Sequence, residues 1–282
     1  MRSPMISIVT ISYNQGRFLE KAIRSVLDQG YRNLEYIVID GGSTDESVSI
    51  IKKYERHLAY WVSERDRGQS HALNKGFARC TGPIMGWLNS DDFFLPGAFE
   101  KFEKAWRLNP GAGAWVGDAH LVDPTGTVLK TQQPGRVDRV SIADWEVNGF
   151  QQPACLFSKT AWEAAGPIDE ALFIAMDFDL WLKIAKTHSF VRIPAVLAGA
   201  TIHPSAKTQA FDNLKHVESW MVLMRQGFEE MAKKRMLNKL EAAEGMERKV
   251  EKLTNLPIYP FIRPLVKSFL KSNSKVRSAA GC

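Results

Sequence analysis

Apolar positions along this chain follow two alternating rhythms. Continuous apolar, β-branched runs of strand length occupy residues 5–12, 34–39 and 83–88, with a shorter one at Tyr60–Ser63. Helical spacing lies between them. Phe18, Ala22, Ile23, Val26 and Leu27 fall on one face of 17–29. Val48, Ile51 and Tyr54 do so in a segment that Ser43 or Thr44 is expected to cap, and residues 69–78 read as a third helix. Strand and helix alternating in this way predict βαβ units, and so an α/β fold with a mostly parallel central sheet and flanking helices.

The second half is less regular. Residues 96–108 read as a helix stopped by Asn109-Pro110-Gly111, and 114–122 with 127–131 as a hairpin around Asp123-Pro124-Thr125-Gly126. Residues 133–152 are punctuated by Gly, Pro and Asp and are expected to be loop, forming part of a substrate lid. A strand at 154–158, a helix at 159–165, a helix at 177–187 and strands at 190–193 and 196–202 complete the body. Residues 207–253 read as one long helix, with Leu214, Val217, Trp220, Met221, Met224 and Phe228 at periodic positions. The segment 256–270 is apolar with interspersed Arg263 and Lys267.

Charge separates the body from the C-terminal region. Residues 1–203 hold 22 Lys/Arg and 23 Asp/Glu, whereas 204–282 hold 15 and 8, and from Lys252 onward there are six basic residues and no acid. A nearly neutral body argues against nucleic acid, and a basic tail suits an anionic membrane surface or partner. The alternative for the tail is a helical appendage packed on the body, or a dimer surface. Cys80, Cys155 and Cys282 are scattered and odd in number, which fits a reducing compartment with neither a disulfide framework nor a zinc site. The chain enters a strand-like run almost at once and has no apolar stretch long enough to span a bilayer. A cytoplasmic location, peripheral at the inner face of the plasma membrane, is therefore expected.

Candidate chemistry gathers where strands end. The run from Ile84 to Leu88 stops at Asn89-Ser90-Asp91-Asp92, two adjacent carboxylates followed at once by Phe93-Phe94. Such a pair at a sheet edge is costly unless a cation or hydrogen-bond donors meet it. The simpler reading is a turn that starts the next helix. Tyr13-Asn14 and Asp40 end the two preceding strands, and ligands of parallel sheets bind beyond strand carboxyl ends. No Gly-x-Gly-x-x-Gly or Gly-x-x-x-x-Gly-Lys-Ser/Thr occurs, so the usual dinucleotide and P-loop readings fail.

Five segments in order, TISYNQGRFLEKAIRSVLDQ, VIDGGSTDES, SERDRGQSHALNKG, GWLNSDD and DEALFIAMDFDLWLK, resemble the family 2 inverting glycosyltransferases of the GT-A fold, most of all those of bacterial O-antigen and exopolysaccharide biosynthesis. The resemblance covers roughly residues 5–205. It implies a GT-A domain over 1–205, with a nucleotide-sugar half to about 95 and an acceptor half after it, and leaves 206–282 as a basic helical extension. It further implies that Tyr13, Asp40, Asp66, Asn74, Lys75 and Asp91 bind a UDP-, GDP- or dTDP-sugar, and that Asp92, with His203, ligates Mg²⁺ or Mn²⁺. Asp177 aligns with the catalytic base, while Asp179 and Gln152 fall on the acceptor side. The acceptor is then a glycan, free or carried on a polyprenyl lipid. Three departures stand out: Asp40-Gly41 where the family often has Asp-Asp, Asn89 where it often has an acid, and Met176 where Glu is common. Two other functions compete with glycosyl transfer. One is a nucleotidyltransferase of the same fold, for which Tyr13-Asn14-Gln15-Gly16-Arg17 is a poor triphosphate loop. The other is a non-catalytic nucleotide-sugar-binding assembly subunit.

Overall fold

The computed structural model describes residues 3–254; the expected apolar basic tail at 256–270 and Cys282 lie outside the described residues. The chain divides into two compact units, Met1–Ile202 and His203–Cys282. In the first, the elements run β1 (Ile6–Ser12), α1 (Gly16–Leu27), β2 (Leu34–Asp40), α2 (Ser47–Tyr54), β3 (Tyr60–Ser63), α3 (Gln69–Phe77), β4 (Ile84–Asn89), β5 (Phe93–Phe94), α4 (Ala98–Leu108), β6 (Ala114–Val122), β7 (Val128–Gln132), α5 (Arg139–Ala143), α6 (Trp145–Asn148), β8 (Cys155–Ser158), α7 (Lys159–Ala165), α8 (Met176–Thr187) and β9 (Phe190–Thr201). The second unit holds α9 (Lys207–Ala210), α10 (Asp212–Arg225) and α11 (Glu229–Thr254).

One sheet carries the first unit, in the order β3-β2-β1-β4-β8-β6-β9-β5, with β7 added beside β6. Strands β3, β2, β1 and β4 are parallel, and all seven residues of β1 are buried. Their register sets Ser12, Asp40 and Ser63 in one row and puts Asn89 beside Ile11. The carboxyl ends of four strands therefore open on one edge. β8 runs antiparallel to both β4 and β6, and β9 runs parallel to β6. β5 pairs antiparallel with β9 through Phe93 opposite Gly199, which ties the residues just after Asp92 to the last strand.

Two apolar layers hold the sheet. One joins Ile6, Ile8 and Val38 to Leu19, Ile23 and Val26 of α1 and to Phe99 and Phe102 of α4. The other is aromatic: Trp87 stacks on Trp181 of α8 at 5.3 Å and 14°, and Phe77, Phe150, Phe157 and Phe190 surround the pair. This cluster fixes the rotation of α8. Residues 177 and 181 lie one turn apart on that helix, so the seat of Trp181 also orients Asp177.

Four expectations about elements are corrected. Ser43 and Thr44 do not cap α2, which begins at Ser47 with Glu46 before it; Ser43 hydrogen-bonds Asp40 instead. The two strands expected at 190–193 and 196–202 are one strand. Between Arg192 opposite Val116 and Val196 opposite Asp118, β9 bulges, and this accommodates Pro194, which has no N–H to donate. The segment 133–152 contains α5 and α6, and Asp138 caps α5 by accepting from the Ser141 N–H at 2.9 Å. The long helix is broken at Gly227, whose φ of +81° lets the Phe228 N–H bond the Leu223 carbonyl and close the end of α10. Leu214, Val217, Met221 and Met224 are exposed there, and Glu218, Ser219, Val222 and Leu223 are buried. Apolar residues spread around α10, so their spacing alone does not say which arc is covered. Among the described residues no helix is long and apolar enough to cross a membrane, and Cys80 and Cys155 are buried free thiols.

The aromatic layer yields a stability prediction. Trp181→Ala removes a nearly fully buried indole and its stack on Trp87, and should cost about 3–5 kcal/mol of unfolding free energy. Urea unfolding followed by circular dichroism measures it; an unchanged midpoint would show that the cluster does not anchor α8.

Candidate functional site

The site begins with two loops bolted together beyond β1 and β2. Asn14 adopts φ +51°, a left-handed conformation that Asn tolerates better than most residues. From there its N–H donates to Ser43 Oγ and its Oδ1 accepts from the Thr44 N–H, both at 2.8 Å. The Gly16 N–H donates to Asp45 Oδ2 at 2.8 Å. Tyr13, at the end of β1 before these loops, is 62% exposed.

Asp40 lies beneath this surface. Its side chain has no exposed area, and its two oxygens accept from the N–H groups of Gly42 and Ser43 and from the hydroxyls of Ser43 and Ser63, at 2.5–3.1 Å. Four donors surround the carboxylate, and it holds the 41–43 loop in shape. The departure at Gly41 also finds its reason. A Cβ there would meet Asp66 Oδ2 at 2.7 Å and the Tyr13 ring at 3.4 Å. Asp66 therefore fills the space that a side chain at 41 would use, and its other oxygen accepts from the Gly68 N–H at 2.7 Å. Tyr13, Gly41 and Asp66 are brought together.

Asn74 and Lys75 are engaged within the fold. The Asn74 amide accepts from the Ile168 N–H and donates to the Ile168 carbonyl, both at 2.9 Å, which clamps the 168–172 segment to α3. Lys75 pairs with Glu64 at 2.5 Å. Neither contact belongs to the Tyr13–Asp66 surface.

The carboxylates after β4 are supported from three directions. Asp92 is buried; its Oδ1 accepts from the Thr201 N–H at 3.0 Å and its Oδ2 from Asn89 Nδ2 at 3.2 Å. Burial pushes its carboxyl well above the usual carboxylate range, and the neighbouring Asp91 charge pushes the same way, while the two donors pull against them. The Thr201 hydroxyl donates to the Asp91 carbonyl. Asn89 also accepts from Gln69 Nε2 at 3.1 Å and donates to Gln152 Oε1 at 3.2 Å, and Gln152 Nε2 donates to the Trp87 carbonyl at 2.9 Å. Gln69 and Thr201 were not expected here. Their signal is only positional, since each ends or begins an element on the same sheet edge.

On α8 the two acids diverge. Asp177 sits in the first turn, and burial raises its carboxyl to about 6, moderated by the Phe178 N–H that it accepts at 2.7 Å. Asp179 is buried and pairs with Lys183 at 2.7 Å. His203 opens the second unit, with Nδ1 2.9 Å from Ser205 Oγ. Trp145 meets Phe178 edge-on at 6.4 Å, so it packs within the protein as Trp181 does.

A hard divalent cation takes carboxylate oxygens, and a desolvated Asp92 beside Asp91 is a charge arrangement that such a cation relieves. Among the described residues no group of three His, Cys, Asp or Glu converges. The donor set thus fits a cation that takes its remaining ligands from a bound phosphate or water, not a closed protein cage.

The family model for glycosyl transferase family 2 matches residues 7–158, more than half of the chain. An uncharacterized glycosyltransferase of Rickettsia typhi is 28% identical over 232 residues, covering 77% of this chain and 70% of its own. Chondroitin synthase of Escherichia coli is 24% identical over 212 residues, which are 72% of this chain and 29% of the synthase. Among solved structures, TarS 1–349 of S. aureus in complex with UDP superposes with a TM-score of 0.60 at 14% identity, covering 79% of this chain and 65% of its own. The mannosyltransferase PcManGT of Pyrobaculum calidifontis, in complex with GDP-Man and Mn²⁺, gives 0.56 at 18% identity, with 93% and 83% covered. The chain thus spans under a third of chondroitin synthase and just under two thirds of TarS 1–349.

The raised Asp177 carboxyl has a consequence for stability. A folded-state value of about 6, above the ordinary 3.8, means that the fold holds this proton more tightly than the unfolded chain does. Its contribution is complete below pH 4 and is lost as pH rises through 6. Asp177→Asn should therefore melt at the wild-type temperature near pH 4 and several degrees higher at pH 7–8. Equal melting curves at both pH values would show that Asp177 is not desolvated.

Proposed function

The chain belongs to glycosyl transferase family 2 and has the GT-A fold, and from that premise we propose that it is an inverting, metal-dependent transferase of one sugar per encounter. The donor is a nucleotide sugar of the UDP, GDP or dTDP type. Its acceptor is a glycan of cell-surface polysaccharide assembly, free or lipid-linked. The observation that carries this reading is a pair of desolvated acids on two elements: Asp92 beside Asp91 at the end of β4, and Asp177, which among the described residues has no ion-pair partner, at the start of α8.

In this reading Tyr13 stacks on the base and Asp66 accepts a hydrogen bond from its edge, over a loop that Asp40 holds. Asp91 contacts the ribose. Asp92 would hold the divalent cation, which when bound supplies Lewis-acid stabilisation of the departing diphosphate. Asp177, ionised above about pH 6, takes the proton of the acceptor hydroxyl. The acceptor oxygen forms its bond to the anomeric carbon from the face opposite the phosphate, and the bond from that carbon to the phosphate oxygen breaks. The electron pair leaves with the nucleoside diphosphate. One carboxylate suffices because inversion passes through no covalent intermediate. UDP, UDP-GlcNAc and GDP-Man in structures of the same fold support a nucleoside diphosphate donor.

Two variants test the division of labour. Asp177→Asn should lower transfer by at least about 10³-fold, within the range that general bases supply, while a thermal-shift assay with the donor and Mn²⁺ still reports binding. Asp92→Ala should lose both transfer and the Mn²⁺-dependent part of that shift. Full transfer by Asp177→Asn would sink the base assignment, and a wild-type chain stabilised by no nucleotide sugar would favour a non-catalytic role. Contact of the basic C-terminal segment with membrane belongs to the same proposal. The full chain should float with vesicles containing anionic lipid, and a chain ending at Asn255 should not.

A further inference from the structure

Asp92 is held by two donors of different kinds. The Thr201 N–H is main chain in a paired strand and has one orientation. Asn89 is a side-chain amide, and a half-turn about its last bond would set oxygen instead of N–H against the carboxylate. What keeps the N–H side toward Asp92 is the rest of its surroundings. Gln69, at the start of α3, donates to Asn89 Oδ1 and so claims the oxygen. Gln152, at the turn before β8, accepts from Asn89 Nδ2 while its own Nε2 donates to the Trp87 carbonyl of β4. A chain of amides with one polarity runs from Gln69 to Asn89 and branches there, one N–H going to Asp92 and the other to Gln152, which donates on to Trp87. Every step in it is a donor meeting an acceptor.

We infer that Gln69 and Gln152 are positioning residues for Asp92, acting through Asn89 to keep one carboxylate oxygen aimed and the amide N–H turned toward it. The inference rests on the proposed metal-binding role of Asp92. It moves Gln152 from the acceptor side to the support of the metal-binding acid, and it accounts for Asn at position 89. A carboxylate there would offer no N–H to Asp92 or to Gln152 and would add a third negative charge to the turn. It also makes one arrangement depend on three elements: the helix on the nucleotide side, the end of β4 and the turn before β8. Partners behind a metal ligand commonly change metal affinity by about 10–100-fold.

The test is calorimetric titration of UDP, GDP and dTDP in the presence and absence of Mn²⁺, using the full chain. Gln69→Ala and Gln152→Ala are made singly in the wild type and again on Asn89→Ala. Each single change is expected to weaken Mn²⁺-dependent nucleotide binding about tenfold, with metal-free nucleotide binding unchanged. In the Asn89→Ala background neither change should weaken it further. Gln69→Glu, which keeps the shape of the side chain but replaces Nε2 with oxygen, should match Gln69→Ala. Unaltered binding in the single variants, or losses that add fully on Asn89→Ala, would overturn the inference and leave the transferase reading intact. Equal weakening with and without Mn²⁺ would do the same. If the wild type binds none of the three nucleotides with Mn²⁺, the transferase reading fails and the inference falls with it.

Discussion

Burying the carboxylate of Asp92 at the end of a parallel strand is the constraint on which the site depends. A charge taken out of water there, beside a second acid, is costly. The fold answers with fixed donors. The Thr201 N–H comes from the last strand of the sheet, and the Asn89 amide from the last residue of β4. For Thr201 to arrive, β9 must pair with β5, and Phe93 must lie against a residue with no side chain. A Cβ at Gly199 would meet the Phe93 ring at 2.2 Å. The pairing of the two strands, the glycine and the phenylalanine after Asp92 are therefore one arrangement. Two donors offset part of the cost of burial, and the carboxyl remains raised.

The same economy governs the nucleotide side. Asp40 has the residue type and the position expected of a nucleotide contact, and it also anchors its own loop. Four donors converge on it, and the loop they belong to carries Gly41. That glycine leaves room for Asp66, which comes from the loop between β3 and α3. One acid is buried so that another, from a later loop, can stand beside Tyr13. The position of an acid in a motif names a candidate; its hydrogen bonds show what already holds it.

This difference marks how far the sequence could be read. Strands β1, β2 and β4 were legible because a strand buried on both faces is a continuous apolar run, and their ends named the edge where the acids lie. Helix α10 was legible as a helix and not as a face. Leu214, Val217, Met221 and Met224 have helical spacing, yet the covered arc contains Glu218 and Ser219, because neighbours and not period decide burial. Asn89, Gln69 and Gln152 could not be grouped from sequence. They are 20 and 63 residues apart in the chain, and what joins them is the direction of amide groups. The break at Gly227 was visible as a glycine, but long apolar periodicity around it outweighed that signal.

Asp177 and Asp179 show why chemistry had to wait for the fold. They are two residues apart on one helix, so their side chains leave it about 200° apart. Both stand in the first turn, where the helix dipole favours a negative charge, and both are largely withdrawn from water. Their partners differ. Asp179 finds Lys183 one turn along and becomes half of an ion pair. Asp177 faces the other way, over the turn that Trp181 seats in the aromatic layer. Among the described residues it has no ion-pair partner, only the N–H of Phe178. Equal in sequence, the two acids differ in surroundings: Asp179 has a lysine beside it, and burial raises the Asp177 carboxyl. A base must hold its proton loosely enough to be ionised at the start and tightly enough to take one during the reaction. A carboxyl raised to about 6 meets both demands near neutral pH.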